Sequence, residues 1–267
     1  MKVLIIGAGN MGMTYGQSFI NSSILDRSDL YVLERNQEKA AHIQAISSHE
    51  QEADAGEFIR DMDLIILSVK PQDFTALAKA IRPYLRPDHL IMSIMAGIKI
   101  SGIERELGLK KIVRAMPNLP AQVGLGMTVF STSIEVSRLE IFTVQNLLNT
   151  TGKTLYVENE ELIDSATAIS GSGPAYVFYF MESMMNTAKS MGFSDAEAQL
   201  LVKQTFLGSI NLLNKNSLSC ADWIRKVSSK GGTTEAAVKE FNSQHLEDKI
   251  KSGLDAAERR AQELSLG

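Results

Sequence analysis

The first twenty residues constrain the fold more than any other stretch. The unbroken run Val3-Leu4-Ile5-Ile6 reads as a buried parallel strand and empties directly into Gly7-Ala8-Gly9-Asn10-Met11-Gly12, after which Thr14 to Ile20 reads as a helix. Strand, Gly-x-Gly-x-x-Gly and helix in this order form a dinucleotide-binding fingerprint. The first glycine makes a tight turn, the second lets the backbone approach a pyrophosphate, and the third lets the helix pack on the strand. The helix N-terminus, with its orphan N–H groups and positive dipole end, then holds the negative charge. All six residues, Gly7, Ala8, Gly9, Asn10, Met11 and Gly12, are therefore assigned to a bound cofactor.

The pattern that follows alternates strand and helix. Leu30 to Leu33 reads as a strand, Gln37 to Ile46 as a helix, Leu64 to Val69 as a strand, Gln72 to Ile81 as a helix and His89 to Ile94 as a strand. This is the signature of a doubly wound α/β domain of Rossmann type. At the end of the second strand stand Glu34, Arg35 and Asn36, where the adenosine ribose of a dinucleotide is read. An acid there binds the ribose 2′-hydroxyl and favours NAD, whereas an arginine with polar neighbours accommodates the 2′-phosphate of NADP, and this chain has both. Val69, Lys70 and Pro71, and likewise Ala96 and Gly97, follow strands and are expected to line the cofactor cleft, since ligands bind beyond the carboxyl ends of parallel strands. Lys70 fits a solvated surface residue equally well.

Further strands are expected at Lys111 to Met116, Met127 to Phe130 and Lys153 to Val157, with a helix over Glu135 to Leu148, so the first domain (residues 1–158) closes near residue 158. From Glu160 onward the apolar spacing is helical throughout. Pro174 fits the first turn of a long helix running through Met191. Ser194 with Glu197, and Ser219 with Asp222, are capping boxes. The stripe Phe178, Met181, Met184 and Met185 belongs to a core or a subunit interface. Residues 159–267 thus read as an all-helical domain whose helices are apolar on more than one side, as a buried dimer interface requires.

Composition excludes several classes of function. A formal net charge of −4 without a Lys/Arg run argues against nucleic-acid binding. One cysteine, Cys220, leaves no disulfide framework or cysteine-based metal site and fits a reducing, cytoplasmic setting. The apolar N-terminal run is too short for a membrane span. All four histidines, His42, His49, His89 and His245, stand in exposed-looking contexts, so no histidine-based catalytic constellation or metal site is expected.

The remaining candidate is Val227 to Val238, where Ser228, Ser229, Lys230, Gly231, Gly232, Thr233 and Thr234 lead into an amphipathic helix. Paired glycines, hydroxyls and a helix N-terminus suit a small carboxylate. The same residues also suit a helix end followed by a cap from Thr233 or Thr234.

Five motifs in order and spacing, Gly7-Ala-Gly-Asn-Met-Gly12, Val69-Lys-Pro71, Arg114-Ala-Met-Pro-Asn118, Ser170-Gly-Ser-Gly-Pro-Ala-Tyr176 and Ser229-x-Gly-Gly-x-Thr234, resemble pyrroline-5-carboxylate reductase along essentially the whole chain. The resemblance implies hydride transfer from a reduced nicotinamide to the C=N carbon of 1-pyrroline-5-carboxylate, giving L-proline. It also implies an intertwined homodimer, often assembled further into a ring of dimers. A cyclic imine needs orientation and a hydrogen-bond donor rather than a nucleophile or metal. On this resemblance Ser229, Gly231, Gly232, Thr233 and Thr234 bind substrate. The N–H groups of Gly231, Gly232 and Thr233 with the Ser229 hydroxyl hold the carboxylate, and Thr234 is the catalytic hydroxyl. Asn118 joins the cofactor-binding set. NADPH is favoured slightly, with NADH as the alternative. Lys230 and Leu119 stand where family members usually carry proline and threonine, and the loop from Ser217 to Arg225 lacks the family's acidic and His-Pro residues. Two other readings compete. A 3-hydroxyacid dehydrogenase would place a lysine on the long helix, and Tyr176 to Thr187 contains none; a non-catalytic nucleotide-binding paralogue would not need Ser229 and Thr234.

Overall fold

The computed structural model describes residues 1–266. In chain order the elements are β1 (Val3–Ile6), α1 (Asn10–Asn21), β2 (Leu30–Leu33), α2 (Ala40–Ile46), β3 (Leu64–Leu67), α3 (Phe74–Ile81), β4 (Leu90–Ser93) and α4 (Ile100–Leu107). They continue with β5 (Ile112–Met116), β6 (Gly126–Thr132), α5 (Arg138–Asn149), β7 (Gly152–Tyr156) and α6 (Leu162–Ala166). A π-helical turn (Thr167–Gly171) then leads to α7 (Gly173–Ser190), α8 (Asp195–Asn214), α9 (Cys220–Val227), α10 (Thr233–Ser243) and α11 (Leu246–Leu266).

The strands form one sheet in the order β2-β1-β3-β4-β5-β6-β7, parallel except for the β5–β6 pair. The short turn from Pro117 to Leu125 cannot carry a parallel crossover, which needs a dozen or more residues, so β6 runs back along β5. Two-residue periodicity divides the sheet's side chains between two cores. Val3, Ile5, Leu30, Val32, Leu64, Ile66 and Met92 meet Tyr15 and Phe19 of α1, Ile43 of α2 and Val144 of α5. Leu4, Ile6, Ile65, Leu67 and Ile91 meet Phe74 and Ile81 of α3 and Ile103 of α4 on the other face. Burial on both faces is why the strands are continuous apolar runs.

Several boundaries differ from those expected. The helix anticipated over Gln37 to Ile46 opens with a 3-10 turn capped by Asn36, and α5 begins only at Arg138, because Ser137 and Glu140 make a reciprocal capping box. His89 is a correction: it is fully buried rather than exposed, because its Nδ1 accepts the Arg86 N–H at 3.0 Å and folds the ring inward. Burial, with the Arg86 charge nearby, pushes its pKa down, so the ring is a neutral packing group.

The chain divides into two compact units. One comprises Met1–Pro174 with the C-terminal residues from Ala256 onward, the other Ala175–Asp255. The boundary expected at residue 158 thus falls inside the first unit, where α6 and the π-turn bury Ile163 and Ala168. The second unit is helical throughout, with both expected capping boxes present at Ser194/Glu197 and Ser219/Asp222. Its helix α8, twenty residues long, buries only Ala198 and Val202 and leaves Leu200, Leu207 and Ile210 exposed. These residues form an uncovered apolar stretch on α8. Among the described residues no helix is long and apolar enough to cross a membrane.

Candidate active site

The glycine loop and the carboxyl ends of the parallel strands lie in the first unit. Gly7 turns with φ +98°, and a Cβ there would stand 2.6 Å from the Ser68 carbonyl oxygen; a Cβ on Gly12 would stand 2.3 Å from the Gly7 oxygen. Both positions therefore exclude any side chain. Gly9 differs, since a Cβ built there meets nothing within 4 Å. It is the N-cap of α1 and has no side-chain cap, so the open space beside it faces the free N–H groups of Asn10, Met11 and Gly12. A pyrophosphate fits this cradle by charge and by room.

Glu34 sits at the end of β2 and is tied down on all sides. Its carboxylate accepts the Ala8 N–H at 2.9 Å, the Asn36 N–H at 3.0 Å and Lys39 Nζ at 2.9 Å. Partial burial works against ionisation, but these bonds and the Lys39 charge outweigh it and hold the carboxyl below its ordinary range. Glu34 is thus an anchored anion, and the Ala8 N–H is already engaged. Arg35 is exposed, while the Asn36 side chain accepts the Glu38 N–H at 3.0 Å and caps the following turn. Lys39 and Ser68 were not among the expected site residues: only folding brings Lys39 onto Glu34 and Ser68 against the glycine turn.

Beyond β3, Val69 packs on the core and lies beside Gly7, Lys70 is exposed, and Pro71 opens a 3-10 turn. Beyond β4, Ala96 and Gly97 form a loop in which Gly97 adopts φ +72°. Asn118 bridges two segments. Its Oδ1 accepts the Met127 N–H at 2.9 Å and its Nδ2 donates to the Ser170 carbonyl at 3.0 Å, so the amide pins the turn after β5 to the π-helical segment. The π-turn ends at Gly171, whose missing Cβ would lie 2.8 Å from the Met116 side chain.

In the second unit, Gly231 adopts φ +71° and Gly232 is the N-cap of α10, with no side chain capping the helix. Neither Thr233 nor Thr234 is therefore a cap; they occupy the first two helical positions. The Gly231 N–H donates to the Glu235 carboxylate at 2.5 Å and the Gly232 N–H to the Ser229 carbonyl at 2.9 Å. Of the three N–H groups expected to hold a carboxylate, two are thus engaged within the turn, and an anion of the chain's own already sits on one of them. The Ser229 hydroxyl lies 2.5 Å from where a Gly232 Cβ would be, so a side chain there would displace it. Arg225, Ser228, Gly231, Gly232, Glu235 and Lys239 line a groove between α9 and α10.

Comparison with known proteins bears on both units. The family described as pyrroline-5-carboxylate reductase dimerisation matches residues 160–264, and that described as NADP oxidoreductase coenzyme F420-dependent matches residues 2–97. The pyrroline-5-carboxylate reductase of Pseudomonas aeruginosa is 35% identical over 99% of this chain and 97% of its own. A solved pyrroline-5-carboxylate reductase from Coxiella burnetii superposes with a TM-score of 0.90 at 30% identity, covering 99% of this chain and 98% of that one. The pyrroline carboxylate reductase of Plasmodium falciparum, solved with NADP bound, gives a TM-score of 0.87 at 26% identity with the same coverage.

Proposed function

This chain belongs to the pyrroline-5-carboxylate reductase family, and from that premise we propose that it reduces 1-pyrroline-5-carboxylate to L-proline at the expense of a reduced nicotinamide dinucleotide. The observation that carries the reading is that the relationship spans the nucleotide loop and the Gly-Gly turn together, at 35% identity over nearly the full length of both chains.

When bound, the nicotinamide supplies a hydride to the C=N carbon, and the ring nitrogen, protonated, becomes the amine. The residues of this chain do the rest. The N-terminus of α1 and the open cradle beside Gly9 hold the pyrophosphate. The Ser229 hydroxyl and the N–H groups at the start of α10 hold the substrate carboxylate, with Gly231 and Gly232 contributing as the turn adjusts and Glu235 yields its place. Thr233 lies next to them, and the Thr234 hydroxyl donates to or orients the imine nitrogen. Charge developing at that nitrogen then meets a fixed dipole rather than mobile water.

NADPH is the proposed donor, with NADH as the alternative. The exposed Arg35, directly after the end of β2, suits a 2′-phosphate, and a relative of known structure holds NADP. Glu34 opposes that choice by like-charge repulsion. The enzyme works as a homodimer through its helical domain, with a ring of dimers as the proposed higher assembly, in the cytoplasm. The test is cofactor oxidation by purified protein. NADPH or NADH should be consumed only when the cyclic imine is present, with one proline formed per cofactor oxidised. No turnover with either cofactor at saturating imine would refute the proposal and leave a nucleotide-binding protein without this activity.

A further inference from the structure

The most deeply buried charge in the first unit belongs to Arg114 of β5, whose side chain is 2% exposed. Its guanidinium meets Glu160 at 3.1 Å and Asp164 at 2.6 Å, and reaches the hydroxyl of Ser265, near the end of α11, at 3.4 Å. Ser265 in turn donates to Asp164 at 2.9 Å. The Arg114 Nε has no partner among the described residues. Buried ion pairs of this kind contribute little net stability, and an orphaned donor subtracts from it. Fixing geometry is what such a network does well.

The geometry it fixes is that of the cofactor loop. Glu160 Oε1, the same oxygen that meets Arg114, accepts the N–H of Ile100, the first residue of α4, at 2.8 Å. The N-cap of α4 is Lys99, which has no side-chain oxygen, so a residue sixty positions away supplies the missing acceptor and places negative charge at the positive end of the helix. Immediately before Lys99 runs the loop of Ala96 and Gly97, beyond the carboxyl end of β4. At Gly97 this loop lies against α11 so closely that a Cβ would stand 2.8 Å from that of Leu264 and 2.9 Å from its carbonyl oxygen. The loop is thus held from its α4 end by Glu160 and on its flank by the turn of α11 that carries Leu264 and Ser265.

We propose that Glu160, oriented by Arg114, is a positioning residue for cofactor binding: it caps α4 and so sets the Ala96–Lys99 loop, with the C-terminal helix as the second support. The inference rests on the reading that this cleft binds a nicotinamide dinucleotide, and the experiment separates the two. Binding of NADPH and NADH is measured directly by fluorescence for wild type, Glu160→Ala, Glu160→Gln, Ser265→Ala and the double variant of Glu160→Ala with Ser265→Ala, alongside melting temperature and steady-state kinetics. Glu160→Ala should weaken cofactor binding about tenfold or more, because small displacements of positioning groups carry costs of that order. The KM for the imine at saturating cofactor should stay within about twofold, since an effect confined to cofactor binding leaves the other parameters in place. Glu160→Gln keeps the acceptor oxygen and should retain most of the affinity. Ser265→Ala should weaken binding less, and its effect should be non-additive with Glu160→Ala, as for members of one network. Wild type that binds neither cofactor would overturn the functional reading together with this inference. Wild type that binds, with Glu160→Ala binding equally well, would overturn the inference alone, and a lowered melting temperature with unchanged affinity would show Glu160 to be purely structural.

Discussion

Thr234 separates the chemical reading of the Gly-Gly turn from the structural one. Its residue types fit a helix cap as well as a substrate nest, so the sequence leaves both open. The fold decides against the cap, since Gly232 holds that position. Thr234→Ala should therefore leave the melting temperature nearly unchanged, as ordinary surface substitutions fall within about 0.5 kcal/mol. It should lose about ten- to hundred-fold in turnover and apparent imine affinity, corresponding to a hydrogen bond of about 1.5–3 kcal/mol to a charged group. Normal kinetics would remove Thr234 from the site. Glu34 poses the matching question for the cofactor. The sequence places it at the ribose end but does not reveal that Ala8, Asn36 and Lys39 anchor it, because each bond depends on how the loop folds. Removing that fixed negative charge with Glu34→Ser should raise the ratio of kcat/KM for NADPH over NADH. If the ratio fails to rise, the carboxylate does not face the ribose.

Single elements are legible in proportion to how local their causes are. The central strands follow from unbroken branched runs, and the capping boxes from short-range spacing. α4 is harder to read despite Ile100, Ile103 and Leu107 on one face, because it is short and takes its N-terminal acceptor from Glu160 in a distant segment. The glycine turn and α1 show the complementary case, where one motif contains two kinds of glycine. Gly7 and Gly12 are enforced by contacts under 3 Å, whereas Gly9 faces open space. Gly9→Val should accordingly fold and melt close to wild type yet raise the KM for cofactor far more than that for imine, measured by steady-state kinetics. Equal effects on the two KM values would make the turn a structural feature only. Gly12→Val, by contrast, should fail to give a stable fold, because its side chain would enter the Gly7 backbone.

For the whole molecule, the class of fold and the order of its parts are readable from the alternation of strand and helix followed by helices alone. The boundary is less so. The match to the dimerisation family begins at residue 160, close to the expected division, yet Asp164 meets Arg114 and Ser170 meets Asn118, which draws α6 and the π-turn into the first compact unit. The return of the chain from Ala256 onward to that unit depends on contacts across most of the sequence and leaves no local mark. Leu207 and Ile210 on α8 stay exposed within a segment that matches the dimerisation family. The central chemical step is direct passage of hydride from the nicotinamide to the imine carbon. Turnover with NADPH deuterated at the transferring position of the nicotinamide, followed by mass spectrometry of the product, tests this most directly. Direct transfer gives proline carrying a single deuterium on the carbon adjacent to nitrogen that had been the imine carbon. Unlabelled proline, or no proline while the labelled cofactor is consumed, would contradict it.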